Sequence, residues 1–521
     1  MNYNYGGLIR MNKRFKKILG VVLSAVMLAV PFTGGASAFK VDIDYTINNP
    51  YANIDWKAVN QYKTELHCHT TATDGGNTLK EMIEKHYELG YDIMAVTDHG
   101  TTDYDWTNPN YIPELKVALT LRKGNLPIVG LNKDGGDAEN GNTYTLTQAE
   151  NGDQFYYQTD SNGNDGKMMM RVPFGIENNP TSFNNAHVNS WFVDYGNGYL
   201  GGTSDYYTPI TNVQKLGGLS VINHPGEYTS ARNAVTSSEA YNKNNAHYSY
   251  VINKYETLLM NNSTCLGIDI NSKGDYRTRF DRKLWDTLLT DLVPHGRNVY
   301  AIGSSDAHNL GIVNSGYTLV LMPELSNEAL KSALSNGEFF AASRYVGNYD
   351  ELVTYAKSLC ISNNKYAKTV GTQMKEAYES IENEISEKGK QSTIFQFDES
   401  QPNAKIRNII VDDKEDRITI DTDGFYVRWV SGGRTVAVGK TVDLDDCENI
   451  GSYVRAEVIG KGGIVYTQAF TLEYKGAPEA KDIDSADLGR IASVFCDTIV
   501  RLLSNFRSIF DMIYKIFGAK A

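Results

Sequence analysis

Glu65-Leu66-His67-Cys68-His69-Thr70-Thr71-Ala72-Thr73-Asp74-Gly75 is the stretch on which the reading of the whole chain turns. Leu66 marks a buried strand. His67 and His69 are two residues apart, so on a strand both leave one face while Cys68 leaves the other. The polar run that follows turns the chain and lets Asp74 swing its carboxylate back. Neutral imidazole and carboxylate are preferred ligands of Zn²⁺, Mn²⁺ and Fe²⁺. The stretch therefore reads as one wall of a metal site, with Cys68 in the core.

The same design recurs at other strand ends. The apolar run Ile93-Met94-Ala95-Val96 leads to Asp98-His99, and Gly100 permits a turn there. His99 is read as a ligand and Asp98 as the group that orients the site. Glu177 follows a short apolar stretch and is placed to bridge two ions; His187 lies ten residues on. Leu219 to Asn223 ends in His224, and Pro225 stops the strand. Val299 to Ile302 leads through Gly303 to Asp306 and His308, again two apart. His86, His247 and His295 fall on helix or loop positions and are read as ordinary. Taken singly, Glu177, His187 and His224 are each more often structural than ligands. Together the motifs point to a polynuclear metal site and metal-assisted hydrolysis.

Between the first two strands a helix is expected. Thr78 and Glu81 form a capping box, Met82, Ile83, His86 and Leu89 follow at helical spacing, and Gly90 ends it. Alternating strands and helices from 61 to 345 imply a parallel α/β sheet or barrel with the ligands at its C-terminal strand ends. Asn132 to Lys167, rich in Asn, Gly and Asp, reads as a surface insertion.

These residues resemble the polymerase and histidinol phosphatase (PHP) superfamily of metal-dependent phosphoesterases over roughly residues 61–345. Glu65 to Thr71, Asp74-Gly75, Ala95 to Gly100, Gly175-Ile176-Glu177, His187, Asn223-His224-Pro225 and Ser305-Asp306-Ala307-His308 carry the resemblance. It implies an α/β fold, a distorted (β/α)7 barrel, holding two or three divalent ions (Mn, Zn or Fe). It implies nine ligands: His67, His69, Asp74, His99, Glu177, His187, His224, Asp306 and His308. Some members carry His where this chain has Asp74. The loop from Ile270 to Trp285 and the β-rich region resemble a secreted bacterial branch. The expected chemistry is hydrolysis of a phosphomonoester or phosphodiester by a metal-activated water. The substrate would be a phosphorylated small molecule, a nucleotide or an envelope polymer. Asp98 is assigned a catalytic orienting role. Arg277 and Arg297 are candidates for phosphate contact, because a guanidinium fork matches phosphate geometry. Two alternatives stand beside this reading: metal-dependent hydrolysis of a non-phosphate ester or amide, and a non-catalytic envelope-binding protein on the same scaffold.

The chain has 521 residues, enough for two or three domains. Residues 346–393 are polar and helical in pattern and read as a connector. From 394 to 475, short β-rich runs separated by Asp-Gly, Gly-Gly and Asp-Asp turns suggest a small β-sandwich. Residues 486–521 carry apolar side chains at helical spacing from Leu488 to Ile516, an amphipathic helix. Its apolar face is open to packing on its own protein, on a partner helix or on a membrane surface.

Residues 1–38 read as a cleaved signal peptide, followed by an arm at 39–60. Lys13, Arg14, Lys16 and Lys17 precede the apolar run Ile18 to Val30 and an Ala36-Ser37-Ala38 cleavage site. The chain is therefore expected to be secreted or associated with the cell envelope. That leader holds five basic side chains and no acidic one, so the remainder carries 45 of the 50 basic side chains against all 62 acidic ones, a net charge of −17. So acidic a surface disfavours a broad nucleic-acid interface. Five cysteines in so long a chain are no disulfide framework.

Overall fold

Short apolar runs form strands whose pairing decides where each candidate ligand stands. The computed structural model describes residues 43–109, 129–178, 186–197 and 206–483. The expected leader, 1–38, and the amphipathic tail, 486–521, lie outside the described residues. Leu219–Ile222 and Cys265–Asp269 are buried at every position, as strands covered on both faces must be. They pair in parallel with one another, and Cys265–Asp269 pairs in parallel with Tyr300–Ile302. Val188–Trp191 and Ile176–Asn178 complete this five-stranded sheet in antiparallel fashion.

A second, fourteen-stranded sheet carries the first ligand motif. In it Asn60–Glu65 pairs in parallel with Ile93–Met94, and Ile93–Met94 in parallel with Met169–Arg171. The helix Leu79–Glu88 between the first two strands has the expected capping box: Glu81 N donates to Thr78 Oγ1, and Thr78 N donates to the Glu81 carboxylate.

The barrel expectation needs correction. Among the described residues no continuous ladder closes a barrel. The two sheets meet instead at two isolated parallel bridges, Cys68 with Ala307 and His99 with Glu177. Ladder pairing stops there because the chain leaves strand geometry to turn ligands inward; Asp306 has φ 47°. Both seams are thus built from the ligand motifs themselves.

The domain boundaries are also less separate than the sequence suggests. Residues 394–475 contribute strands to two sheets of at least three strands. One is a three-stranded sheet, Ile406–Asp412, Arg417–Thr422 and Thr441–Asp443. The other is the large sheet, which takes in Tyr426–Ser431 and Tyr453–Ile459, because Ile464–Tyr466 pairs with Phe339–Ser343. Ile464–Tyr466 is buried throughout, so an exposed edge there would leave both apolar surface and backbone groups unsatisfied. The N-terminal arm joins the same sheet: Tyr45–Asn48 pairs with Phe470–Tyr474. The insertion is a hairpin, Thr143–Gln148 with Gln154–Thr159, that extends the sheet through Met169–Arg171. The connector is two packed helices, Tyr349–Cys360 and Lys365–Lys388. They approach so closely at Gly371 that a Cβ there would lie 2.7 Å from Leu359 Cβ.

Buried charge joins the β-rich region to the helix Asp281–Leu292. The Arg455 guanidinium donates to Asp286 Oδ1 and Oδ2, each at 2.8 Å, and to Glu457 Oε1 at 2.8 Å. Arg428 Nη1 and Tyr355 Oη donate to Glu457 Oε2 at 3.0 and 2.7 Å. Burial opposes ionisation of Glu457, but Arg428 and Arg455 outweigh it and hold its carboxyl below the usual range. Arg455→Ala leaves two carboxylates buried without this cation. It is expected to cost about 3–5 kcal/mol in urea-induced unfolding. A group with a depressed folded pKa stabilises above its unfolded pKa and loses that contribution as pH falls. Wild type should therefore lose more stability than the variant between neutral and strongly acid pH.

Candidate metal centre

The first motif is fixed from below by Glu65. This buried carboxylate accepts from His67 N at 2.9 Å, from Ser305 N at 3.2 Å and from Ser305 Oγ at 2.5 Å. One side chain therefore positions both ligand-bearing segments across the seam, and His69 N adds a bond to Ala307 O at 2.9 Å. His67 and His69 project to one side, with their Nε2 atoms 3.2 Å apart. Cys68 projects to the other, its thiol against Ala95 O, as expected of a core residue. Asp306 and His224, at φ 47° and 27°, adopt left-handed backbone that costs a non-glycine residue about 1–3 kcal/mol. Such strain persists where the surroundings over-determine it.

All nine expected ligands come together, in three groups whose donor atoms lie within 4.8 Å of one another. His67, Glu177, His224 and Asp306 form one; His69, Asp74, His99 and His308 a second; His99, Glu177 and His187 a third. Glu177 sits between them. Its Oε2 is 3.0 Å from His99 Nδ1, 3.3 Å from His69 Nε2 and 3.4 Å from His67 Nε2. Its Oε1 is 2.8 Å from His187 Nδ1 and 3.3 Å from His224 Nε2. Asp306 Oδ1 lies 3.2 Å from His67 Nε2 and 3.0 Å from His69 Nε2. Asp74 reaches His99 Nε2 at 3.3 Å and His308 Nε2 at 3.4 Å.

The arrangement fits divalent ions. Donors at about 2.1 Å from a tetrahedral ion stand about 3.4 Å from one another, and the distances around Glu177 Oε2 and Asp306 Oδ1 match that edge. Three carboxylates share a mostly buried site, so positive charge must balance them. Burial opposes ionisation of Glu177 and Asp306, yet both are held well below the carboxylate range. The neighbouring histidines do this for Glu177; for Asp306, His67, Lys273 and His308 do. Burial and Lys273 push His224 down to about 4, and burial lowers His187, whereas Asp306 and Glu177 outweigh burial and raise His67 and His69.

One assignment, that of Arg297, changes. Asp98, read as an orienting group, lies outside the three donor groups. Its oxygens accept from Thr70 N, Thr70 Oγ1 and Thr73 Oγ1 at 2.8, 2.6 and 2.6 Å, so it braces the turn that carries Asp74. Arg297 precedes the strand Tyr300–Ile302, at the end away from Asp306, and its guanidinium donates to the Leu259 and Cys265 carbonyls. It serves the strand, not the site. Arg277 does reach the rim, where it bonds Glu227 at 2.7 Å.

The sequence reading missed Glu65, Glu227, Lys273 and Asn223. Asn223 Nδ2 donates to Glu177 Oε1 and to Asn189 Oδ1, each at 2.8 Å. A carboxylate two residues before His67 was the available signal for Glu65, and the three-residue step from His224 that for Glu227. His86, read as ordinary, is buried with Nε2 3.6 Å from Glu65 Oε2. His247 and His295 bond the Thr229 and Lys481 carbonyls instead.

No family model matches this chain, and no curated protein does. Among solved structures, it is similar to a two-domain protein from Bacteroides vulgatus containing a predicted PHP-like metal-dependent phosphoesterase. The identity is 11%, over 84% of this chain and 91% of that one, with a TM-score of 0.30. It is also similar to a lesion-specific endonuclease from Pyrococcus furiosus, at 11% identity over 53% and 56% of the two chains, with a TM-score of 0.26.

Glu65→Ala should weaken metal binding about 10- to 100-fold, as removal of a group behind the ligands does. Arg297→Ala should lower the melting temperature and leave metal affinity unchanged. Titration against a competing chelator separates the two outcomes.

Proposed function

We propose that this chain is an exported hydrolase of phosphoesters in the manner of the PHP superfamily, dependent on two or three divalent ions. The observation that carries the reading is the convergence of nine residues, drawn from motifs spread between His67 and His308, on three donor groups, the third of which shares Glu177 with one and His99 with the other. His67, His69, Asp74, His99, Glu177, His187, His224, Asp306 and His308 are the proposed ligands. When bound, such ions polarise phosphoryl oxygens and lower the pKa of a coordinated water toward neutrality. The protein's part is to hold donors and to direct access. His67, His69 and Glu177 are buried, whereas Asp74 and His308 are about a third exposed, so the cluster opens on their side. Export rests on the basic, apolar and Ala36-Ser37-Ala38 segments in order. The acidic remainder favours a small or polymeric phosphoester over duplex nucleic acid. The amphipathic tail is proposed to contact a partner helix or a membrane surface.

Purified protein is expected to carry at least two equivalents of transition metal. It should hydrolyse phosphoesters, lose that activity to a chelator and regain it with Mn²⁺ or Zn²⁺. His67→Ala, Glu177→Ala and Asp306→Ala should each lose metal and lower kcat by orders of magnitude, while His295→Ala changes little. Secreted protein should begin at Phe39. Folded protein that is metal-free, inert to chelator and inactive on every phosphoester would overturn the proposal.

A further inference from the structure

The turn Asn271-Ser272-Lys273-Gly274-Asp275 follows the strand Cys265–Asp269, at the end where the ligands gather. Lys273 adopts left-handed backbone, outside the range usual for a lysine. Its side chain is only 13% exposed. Its Nζ lies 2.6 Å from Asp306 Oδ2 and 3.2 Å from Glu227 Oε2. Arg277 Nη1 lies 2.7 Å from Glu227 Oε1, while Nε and Nη2 engage Asp275 Oδ2 at 2.8 and 2.7 Å. Glu227 thus clamps a lysine and an arginine side by side, at the edge of the group formed by His67, Glu177, His224 and Asp306.

These carboxylates do not exhaust the cations. An ammonium has three N–H donors and a guanidinium five. Two of the first and three of the second are engaged, which leaves three donors between them. Carboxylates already fix both side chains, so an arriving anion incurs little ordering cost.

Resting on the phosphoester reading, we propose that Lys273 and Arg277 form the pocket for the non-bridging oxygens of a terminal phosphate, and that the site prefers phosphomonoesters to phosphodiesters. A monoester near neutral pH carries close to two negative charges and presents three non-bridging oxygens. A diester carries one charge and two such oxygens. Its second alkoxy group falls where the third oxygen would meet charged N–H donors, and it leaves them unsatisfied. In the reaction a water oxygen forms the new P–O bond and the ester P–O bond breaks. The leaving alkoxide takes a proton that originates from the water. The products are an alcohol and inorganic phosphate.

The experiment compares p-nitrophenyl phosphate with bis(p-nitrophenyl) phosphate on metal-loaded wild type, Arg277→Ala and Arg277→Lys. Wild type should favour the monoester in kcat/KM by at least about tenfold. Arg277→Ala should reduce monoester kcat/KM about ten- to a hundredfold, mainly through KM, the range expected for a lost charge-assisted bond. Diester kcat/KM should fall by a clearly smaller factor, and lysine should restore part of the loss. Inorganic phosphate, titrated calorimetrically into the metal-loaded proteins, should bind Arg277→Ala about tenfold more weakly. Metal content is measured on each variant, and if the alanine variant does not fold, the lysine variant and phosphate binding by wild type decide. A wild type that prefers the diester, or an equal loss on both substrates, overturns this proposal while leaving the phosphoester reading intact. Absence of hydrolysis of either ester by metal-loaded wild type overturns that reading itself.

Discussion

A carboxylate removed from water must be compensated, and Glu177 sets that demand at the centre of this molecule. It lies between three donor groups, with imidazoles against both oxygens and the Asn223 amide against one. Its neighbours come from strands in both sheets, so compensating its charge also joins the sheets. His99 contributes both a ring nitrogen to Glu177 and the backbone bridge at one seam. The clustering of these side chains and the architecture therefore share a cause: the places where ladder pairing fails are the places where the candidate ligands are presented. Ions bound there would add cross-links where backbone hydrogen bonds are sparse, coupling metal affinity to folding stability.

Most of the residues that cluster were legible because they sit where local pattern is strong. An apolar strand ending in His or Asp, with Gly or Pro after it, says where the chain emerges and what it presents. The helix at Leu79–Glu88 was legible for the same reason: cap and stop are local chemistry. The way the two sheets meet was not, since it depends on pairing between segments far apart in the chain, such as Cys68 with Ala307. Arg297 shows the limit of residue type as a guide, because a guanidinium that bonds two strand carbonyls reads like one that binds phosphate. Lys273 was invisible for the opposite reason. Its place by Asp306 depends on a left-handed backbone in a loop, which no periodicity announces.

The β-rich region illustrates how a composition boundary can differ from a physical one. Turn-rich, short-strand sequence begins near 394, yet hydrogen bonding runs from Phe339–Ser343 into Ile464–Tyr466 without a break. The buried cluster of Arg428, Arg455, Glu457 and Asp286 then pins that region to a helix beside the five-stranded sheet. Such charges are costly to bury and specific in geometry, so they fix one mode of docking more than they add stability.

The pairing of Tyr45–Asn48 with Phe470–Tyr474 joins the two ends of the described chain in one ladder. A polypeptide that emerges or is threaded N-terminus first therefore holds an open strand edge until Phe470–Tyr474 arrives. Local collapse cannot seal that edge, because its partner lies at the opposite end of the described sequence. Contacts of such long range slow folding and keep the incomplete chain dependent on protection from association. The same feature makes the completed fold sensitive to the loss of either strand: removing one strips the partner from the other.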